Sequence, residues 1–117
     1  MLYDNVKNAL RTAGLTVKLP GQYEAPCKEP YVVVHDGGTY GYAANRHTGY
    51  TLLYVRCYVP IDSYSKLQLL MESVKTALAP FSFIMPTGNE GIHQIDNTYK
   101  AHTSYVEYQV MRTLKEM

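Results

Sequence analysis

A chain of 117 residues, 46% of them apolar, is sized for one domain (residues 1–117) with a core of its own, and at 18% charged it falls below the roughly 25% of an average globular domain. The formal charge of +1, from 11 basic and 10 acidic residues, argues against a dedicated nucleic-acid binder, and runs such as Val32-Val33-Val34 are far short of the roughly 20 apolar residues that span a bilayer. With 12 Tyr against 2 Phe and no Trp, much of the apolar ring surface carries a polar tip, which suits a half-wet surface that later becomes an interface.

The opening residues, Met1-Leu2-Tyr3-Asp4, lack the basic and apolar regions of a signal peptide, so folding in a cytoplasm is expected. Residues 2 to 13 carry Leu2, Val6, Ala9, Leu10 and Ala13 at helical spacing, and Gly14 is placed to end that helix. Residues 15 to 19 alternate like a short strand closed by Pro20-Gly21, and 22 to 29 read as a loop. Tyr31 to His35 is an apolar, β-branched strand with Pro30 at its start. The Gly-rich stretch from Gly37 to Gly49 is long for a hairpin connection, and a mobile loop is expected there, its glycines supplying positive φ.

Residues 50 to 59 form the clearest strand, with Thr51, Leu53, Val55, Cys57 and Val59 on one face and Leu52, Tyr54, Arg56 and Tyr58 on the other. Pro60-Ile61-Asp62 leads into a helix to about Ala79, with Asp62 or Ser63 as N-cap and a stripe of Leu67, Leu70, Met71, Val74 and Leu78. Phe81 to Met85 reads as a short strand and residues 86 to 89 as a turn. Residues 91 to 98 fit loop or strand, and Thr103 to Arg112 is the last strand. The expected fold is α+β: a mixed or antiparallel sheet of about four to five strands, with two helices packed on one face.

No local motif carries chemistry. The histidines His35, His47, His93 and His102 have no metal-binding spacing to one another or to a cysteine. Gly37, Gly38 and Gly41 lead into a strand with no following Lys, unlike a phosphate loop. Cys57 sits inside a strand pattern as a small hydrophobe, and both cysteines are expected to be free thiols. No catalytic residue, metal or cofactor is expected. The residues that stand out are of the kind favoured in protein–protein contacts: Tyr40, Tyr42, Arg46, His47 and Tyr50 in or beside the glycine stretch, and Tyr54, Arg56 and Tyr58 on the amphipathic strand face.

The order of these elements, with the segment Leu53-Tyr54-Val55-Arg56-Cys57-Tyr58-Val59-Pro60, resembles the tail terminator or tail completion proteins of long-tailed phages and prophages, often described as minor capsid or minor tail proteins. The resemblance implies a structural virion protein, located in the tail or neck and assembled in the cytoplasm of a bacterial host. Such a subunit forms a hexameric ring with copies of itself, caps the tail tube protein and joins it to the head connector protein. No membrane and no sequence-specific nucleic acid is implied. Two other classes stay open from the residues alone: a small ligand- or peptide-binding module acting as monomer or dimer, and an enzyme or metal protein with a site assembled from His35, His93, His102 and acidic residues.

Overall fold

The computed structural model describes residues 2–22, 26–42, 45–82 and 84–113, with backbone alone for 2–3, 42, 45–48 and 111–113. In chain order these form α1 (Leu2–Thr12), β1 (Val17–Lys18), β2 (Tyr31–Tyr42), β3 (Asn45–Pro60), α2 (Ser65–Leu78), β4 (Met85–Glu90), β5 (Gln94–Asp96) and β6 (Ala101–Thr113). The sheet order is β1-β2-β3-β6-β4, with β5 also paired to β6. Only β1 and β2 run parallel; every other pairing is antiparallel. The architecture is therefore α+β with a mixed sheet, and its six strands slightly exceed the four to five expected.

Strict alternation in β3 assigns the two faces. Leu53, Val55, Cys57 and Val59 are buried together with Val106, Tyr108 and Val110 of β6, Val32 and Val34 of β2, Val6 and Leu10 of α1, and the α2 stripe Leu67, Leu70, Met71, Val74 and Leu78. Both helices thus cover one face, as the 3.6-residue and two-residue periodicities require. A smaller cluster on the other face, near the start of β2, holds Cys27, Tyr31, Val33, Tyr58 and Ala101. Both cysteines are buried thiols outside any disulfide, in these separate clusters with the sheet between them.

Gly14, at φ +89°, ends α1. The Leu15 amide reaches back to the Leu10 carbonyl at 3.1 Å, the six-to-one bond of a Schellman cap. The start of α2 differs from expectation. Neither Asp62 nor Ser63 caps it; Tyr64 occupies the N-cap position in helical geometry with no side-chain cap bond. Asp62 instead accepts from the Ser63 hydroxyl at 3.1 Å. The chain enters through i to i−3 bonds, with the amides of Ser63, Lys66 and Leu67 donating to the carbonyls of Pro60, Ser63 and Tyr64.

Two further expectations are corrected. The described part of the Gly37–Gly49 stretch is not a loop: residues 37–42 continue β2 and residues 45–49 belong to β3, as two arms of a long β-ribbon, while residues 43 and 44 lie outside the described residues. Its glycines serve the pairing. Gly38, at φ +95°, sits in a register shift between Asp36 and Thr39, where its amide donates to Asp36 Oδ1 at 2.7 Å, and Gly41 lies opposite Gly49. The described residues of Phe81 to Met85, which exclude residue 83, do not form the expected strand: pairing with β6 begins at Met85, and Ile84 is drawn instead into the core under α2.

Leu70 is buried in the helix–sheet core and its neighbour Leu69 is exposed. Leu70→Ala is expected to cost about 2–5 kcal/mol in urea unfolding. Leu69→Ala should stay within about 0.5 kcal/mol, as substitutions away from packed groups do. Equal effects would misplace the stripe.

Candidate interface on the open face of the sheet

On the face away from the helices, the cross-strand pairs His35–Tyr54–Glu107 and Val33–Arg56–Tyr105 line up across β2, β3 and β6. Tyrosines continue this row in both directions. Towards the ribbon tip, Tyr40 and Tyr50 stack with ring centroids 5.5 Å apart. In the middle, Tyr54 meets Tyr105 edge-on at 5.1 Å, and the Arg56 guanidinium lies 5.1 Å from the Tyr105 centroid. At the base, Tyr31 and Tyr58 stack at 4.9 Å, with the Lys18 ammonium 5.3 Å from the Tyr31 centroid. Offset and edge contacts of this kind, and cations over ring faces, each add a modest attraction beyond buried area.

Glycines determine how these rings lie. A Cβ at Gly37 would run into the Tyr54 ring, and a Cβ at Gly91 into the Tyr105 ring. Both tyrosines therefore rest against bare backbone, the arrangement by which an aromatic side chain compensates a strand glycine. The Tyr40 hydroxyl donates to the Gly37 carbonyl at 3.0 Å, which holds that ring against the sheet as well.

The charges on this face are unevenly satisfied. Glu107 is buried, and burial opposes its ionisation. Hydrogen bonds outweigh that opposition and hold its carboxyl below the usual range: Thr87 Oγ1 at 2.7 Å, Asn89 Nδ2 at 3.1 Å, and the Tyr54 hydroxyl. Arg56 has no such partner. Among the described residues its guanidinium makes one hydrogen bond, a long 3.5 Å contact to Thr103 Oγ1, and no carboxylate reaches it. With Tyr58 and Thr103 it opens onto a shallow polar depression of about 530 Å³, edged by Gln94, Asp96 and Asn97. Its charge is felt across the sheet: His35 is held below its ordinary value, first by burial and then by Arg56.

Of the eight expected interface residues, the structure thus brings Tyr40, Tyr50, Tyr54, Arg56 and Tyr58 onto one face, with Tyr58 buried there in the smaller cluster. Tyr42, Arg46 and His47 belong to the ribbon tip, and their side chains lie outside the described residues. The reading by sequence missed Tyr105 and Glu107, although both lie on the non-core face of the alternating final strand, and it missed Tyr31 of β2. No protein-family model matches the chain, and no curated protein matches it.

The imagined histidine site is only partly assembled. His93 and His102 meet on the helix side of β6, whereas His35 lies on the opposite face. Among the described residues, no three His, Cys, Asp or Glu side chains gather as metal ligands would. Burial pushes the Cys57 thiol up to about 12, which keeps it from acting as a thiolate. An apolar cleft of about 290 Å³, walled by Leu78, Ile84, Val106 and Tyr108, lies between α2 and β4, at the lower bound of small-molecule pockets. No helix among the described residues is long and apolar enough to cross a membrane.

The Arg56–His35 coupling gives a pH prediction. His35 is favoured neutral in the fold, while the unfolded chain takes up a proton near the ordinary value of about 6.5. Its contribution to stability is therefore present above about pH 6.5 and is lost as pH falls through the lowered native value. In Arg56→Met the native titration of His35, followed by its imidazole proton resonances, should move up and the acid loss should shrink. An unmoved titration would remove Arg56 as a cause.

Proposed function

We propose that this chain is a structural subunit that works by assembly rather than catalysis, in the manner of a phage tail terminator: it closes into a ring with its own copies, caps the tail tube and meets the head connector. The observation that carries this reading is the tyrosine–arginine face on three long strands that the helices leave uncovered. Tyr and Arg are the residues that dominate binding energy at protein interfaces, and Arg56 brings a charge that nothing in its own described chain neutralises.

The ribbon supplies a second support. β1 pairs only with Val32 and Val33 of β2, and β4 reaches only to Gln109 of β6. Towards the ribbon tip, the outer edge of β2 from Asp36 onward and that of β6 past Gln109 have no strand partner among the described residues, and the molecule extends to 48 Å along its longest axis. Open edges template pairing with another chain. Two different edges on opposite sides of one ribbon suit a heterologous contact, β2 of one copy against β6 of the next, which makes a ring when the rotation closes.

The test is native mass with concentration, on the wild type and on Arg56→Glu. The wild type should form one closed oligomer. The Glu variant should keep its fold by circular dichroism and lose association by roughly 30-fold or more, the effect of a hot-spot residue of at least about 2 kcal/mol. A wild type that stays monomeric at every concentration would overturn the proposal. A variant that assembles normally would move the contact off this face.

A further inference from the structure

His93 and His102 are nine residues apart, and the turn between β5 and β6 folds them onto each other. His93 Nε2 lies 2.7 Å from His102 Nδ1, and His102 Nε2 lies 3.0 Å from the Ile61 carbonyl oxygen. Tyr64 closes the group, with its ring 4.8 Å from that of His93 and 5.1 Å from that of His102. A carbonyl can only accept, so His102 must carry its hydrogen on Nε2. In the neutral ring Nδ1 is then the acceptor, and His93 must donate to it from Nε2. One chain of hydrogen bonds thus joins the segment before β5, strand β6 and the turn into α2.

From this we infer that the pair is a proton-limited clamp: it holds the 92–98 strap against β6 with no added proton or one, and lets it go with two. A first proton goes to the free Nδ1 of His93 and leaves both hydrogen bonds in place. A second can enter only at His102 Nδ1, where it would set two N–H groups and two positive rings against each other at hydrogen-bond distance. The unfolded chain has no such restriction and binds both. Stability of the strap therefore falls as acid forces the second protonation.

Little else holds the strap. Ile92 and Ile95 are exposed, and β5 makes only the pairs Gln94–Thr103, Ile95–His102 and Asp96–Ala101. Its ends are anchored more firmly. The Gly91 amide donates to Tyr105 O at 2.9 Å and Ser104 Oγ to Gly91 O at 2.6 Å, while Tyr99 donates to Asp96 Oδ1 at 3.0 Å and accepts from the Cys27 amide at 2.7 Å. The other charged groups near the pair do not relieve the second protonation. Glu90 lines the same cleft as His93, with Gln68 and Ser104, but is already paired with Lys75 at 2.9 Å, and Asp96 is engaged with its own turn.

The experiment is amide hydrogen exchange of the full chain between pH 7.5 and 4.5, corrected for intrinsic rates, with histidine ¹⁵N spectra on the same sample. The wild type should show His102 as the Nε2–H tautomer at pH 7.5 and lose protection at residues 94–96 by tenfold or more on acidification, while the α2 amides stay protected. His93→Gln supplies the control. Its amide can donate to a neutral His102 or turn its oxygen to a protonated one, so the acid-linked loss should disappear. The Nδ1–H tautomer at His102, equal acid loss in His93→Gln, or opening that includes α2 would each overturn the inference.

Discussion

Everything in this molecule hangs on the alternation of β3, the strand that pairs along nearly its whole length with β2 on one side and β6 on the other. Its odd-numbered side chains from Leu53 to Val59 are buried against the helices, and its even-numbered ones from Leu52 to Arg56 are half exposed. A slip of one residue in either pairing would put Arg56 under α2 and Val55 in water. The register is thus held by the large penalty for burying an unpaired charge as well as by the apolar gain. Because β3 is longer than the helices that cover it, the same register that builds the core carries the three strands past it into the ribbon.

Much of this could be read in the residues, where a period repeated long enough to average out exceptions. The α2 stripe and the alternation of residues 50–59 are such cases, and they define the covered and open faces together. The Gly37–Gly49 stretch failed for a reason that local propensity cannot capture. Glycine is a poor strand residue alone, but here a neighbouring strand supplies what it lacks: the Tyr54 ring lies on Gly37, and Gly41 pairs with Gly49. Phe81–Met85 failed in the opposite way: it is apolar, but among its described residues the ladder with β6 begins only at Met85, and Ile84 packs into the core instead. Strand β4 instead contains Pro86 and a Gly88 at φ +91°, both ordinary turn signals, and it tolerates them because it pairs with β6 only at Met85, Pro86 and Glu90.

The candidate site shows the same division. Tyr54, Arg56 and Tyr58 were legible because they share one strand. Their partners were not, because Tyr105 and Glu107 join them only through the β3–β6 register, with about 50 residues of chain between. The His93–His102 contact was equally hidden. It depends on the β5–β6 turn, where Lys100 adopts φ +51° and Asp96 accepts from the Tyr99 amide, and no spacing rule for metal or catalytic histidines describes it.

On the proposed reading, an open face built of tyrosine also resolves a conflict that any subunit for assembly must meet. Aliphatic side chains on three long strands would bind a partner well, but would make the free chain aggregate through the same surface. A tyrosine ring carries a polar tip that an aliphatic side chain lacks, and on this face the rings are already positioned: Tyr40 by its bond to the Gly37 carbonyl, Tyr54 and Tyr105 by each other and by the glycines beneath them. Side chains that are ordered before contact lose little rotamer entropy on contact. Arg56, stacked on Tyr105 and short of a carboxylate, adds selectivity to that readiness, since a partner without an acid at this point leaves the guanidinium desolvated and unpaired. The face therefore combines low ordering cost with a charge requirement, and the two together favour one partner geometry over general stickiness.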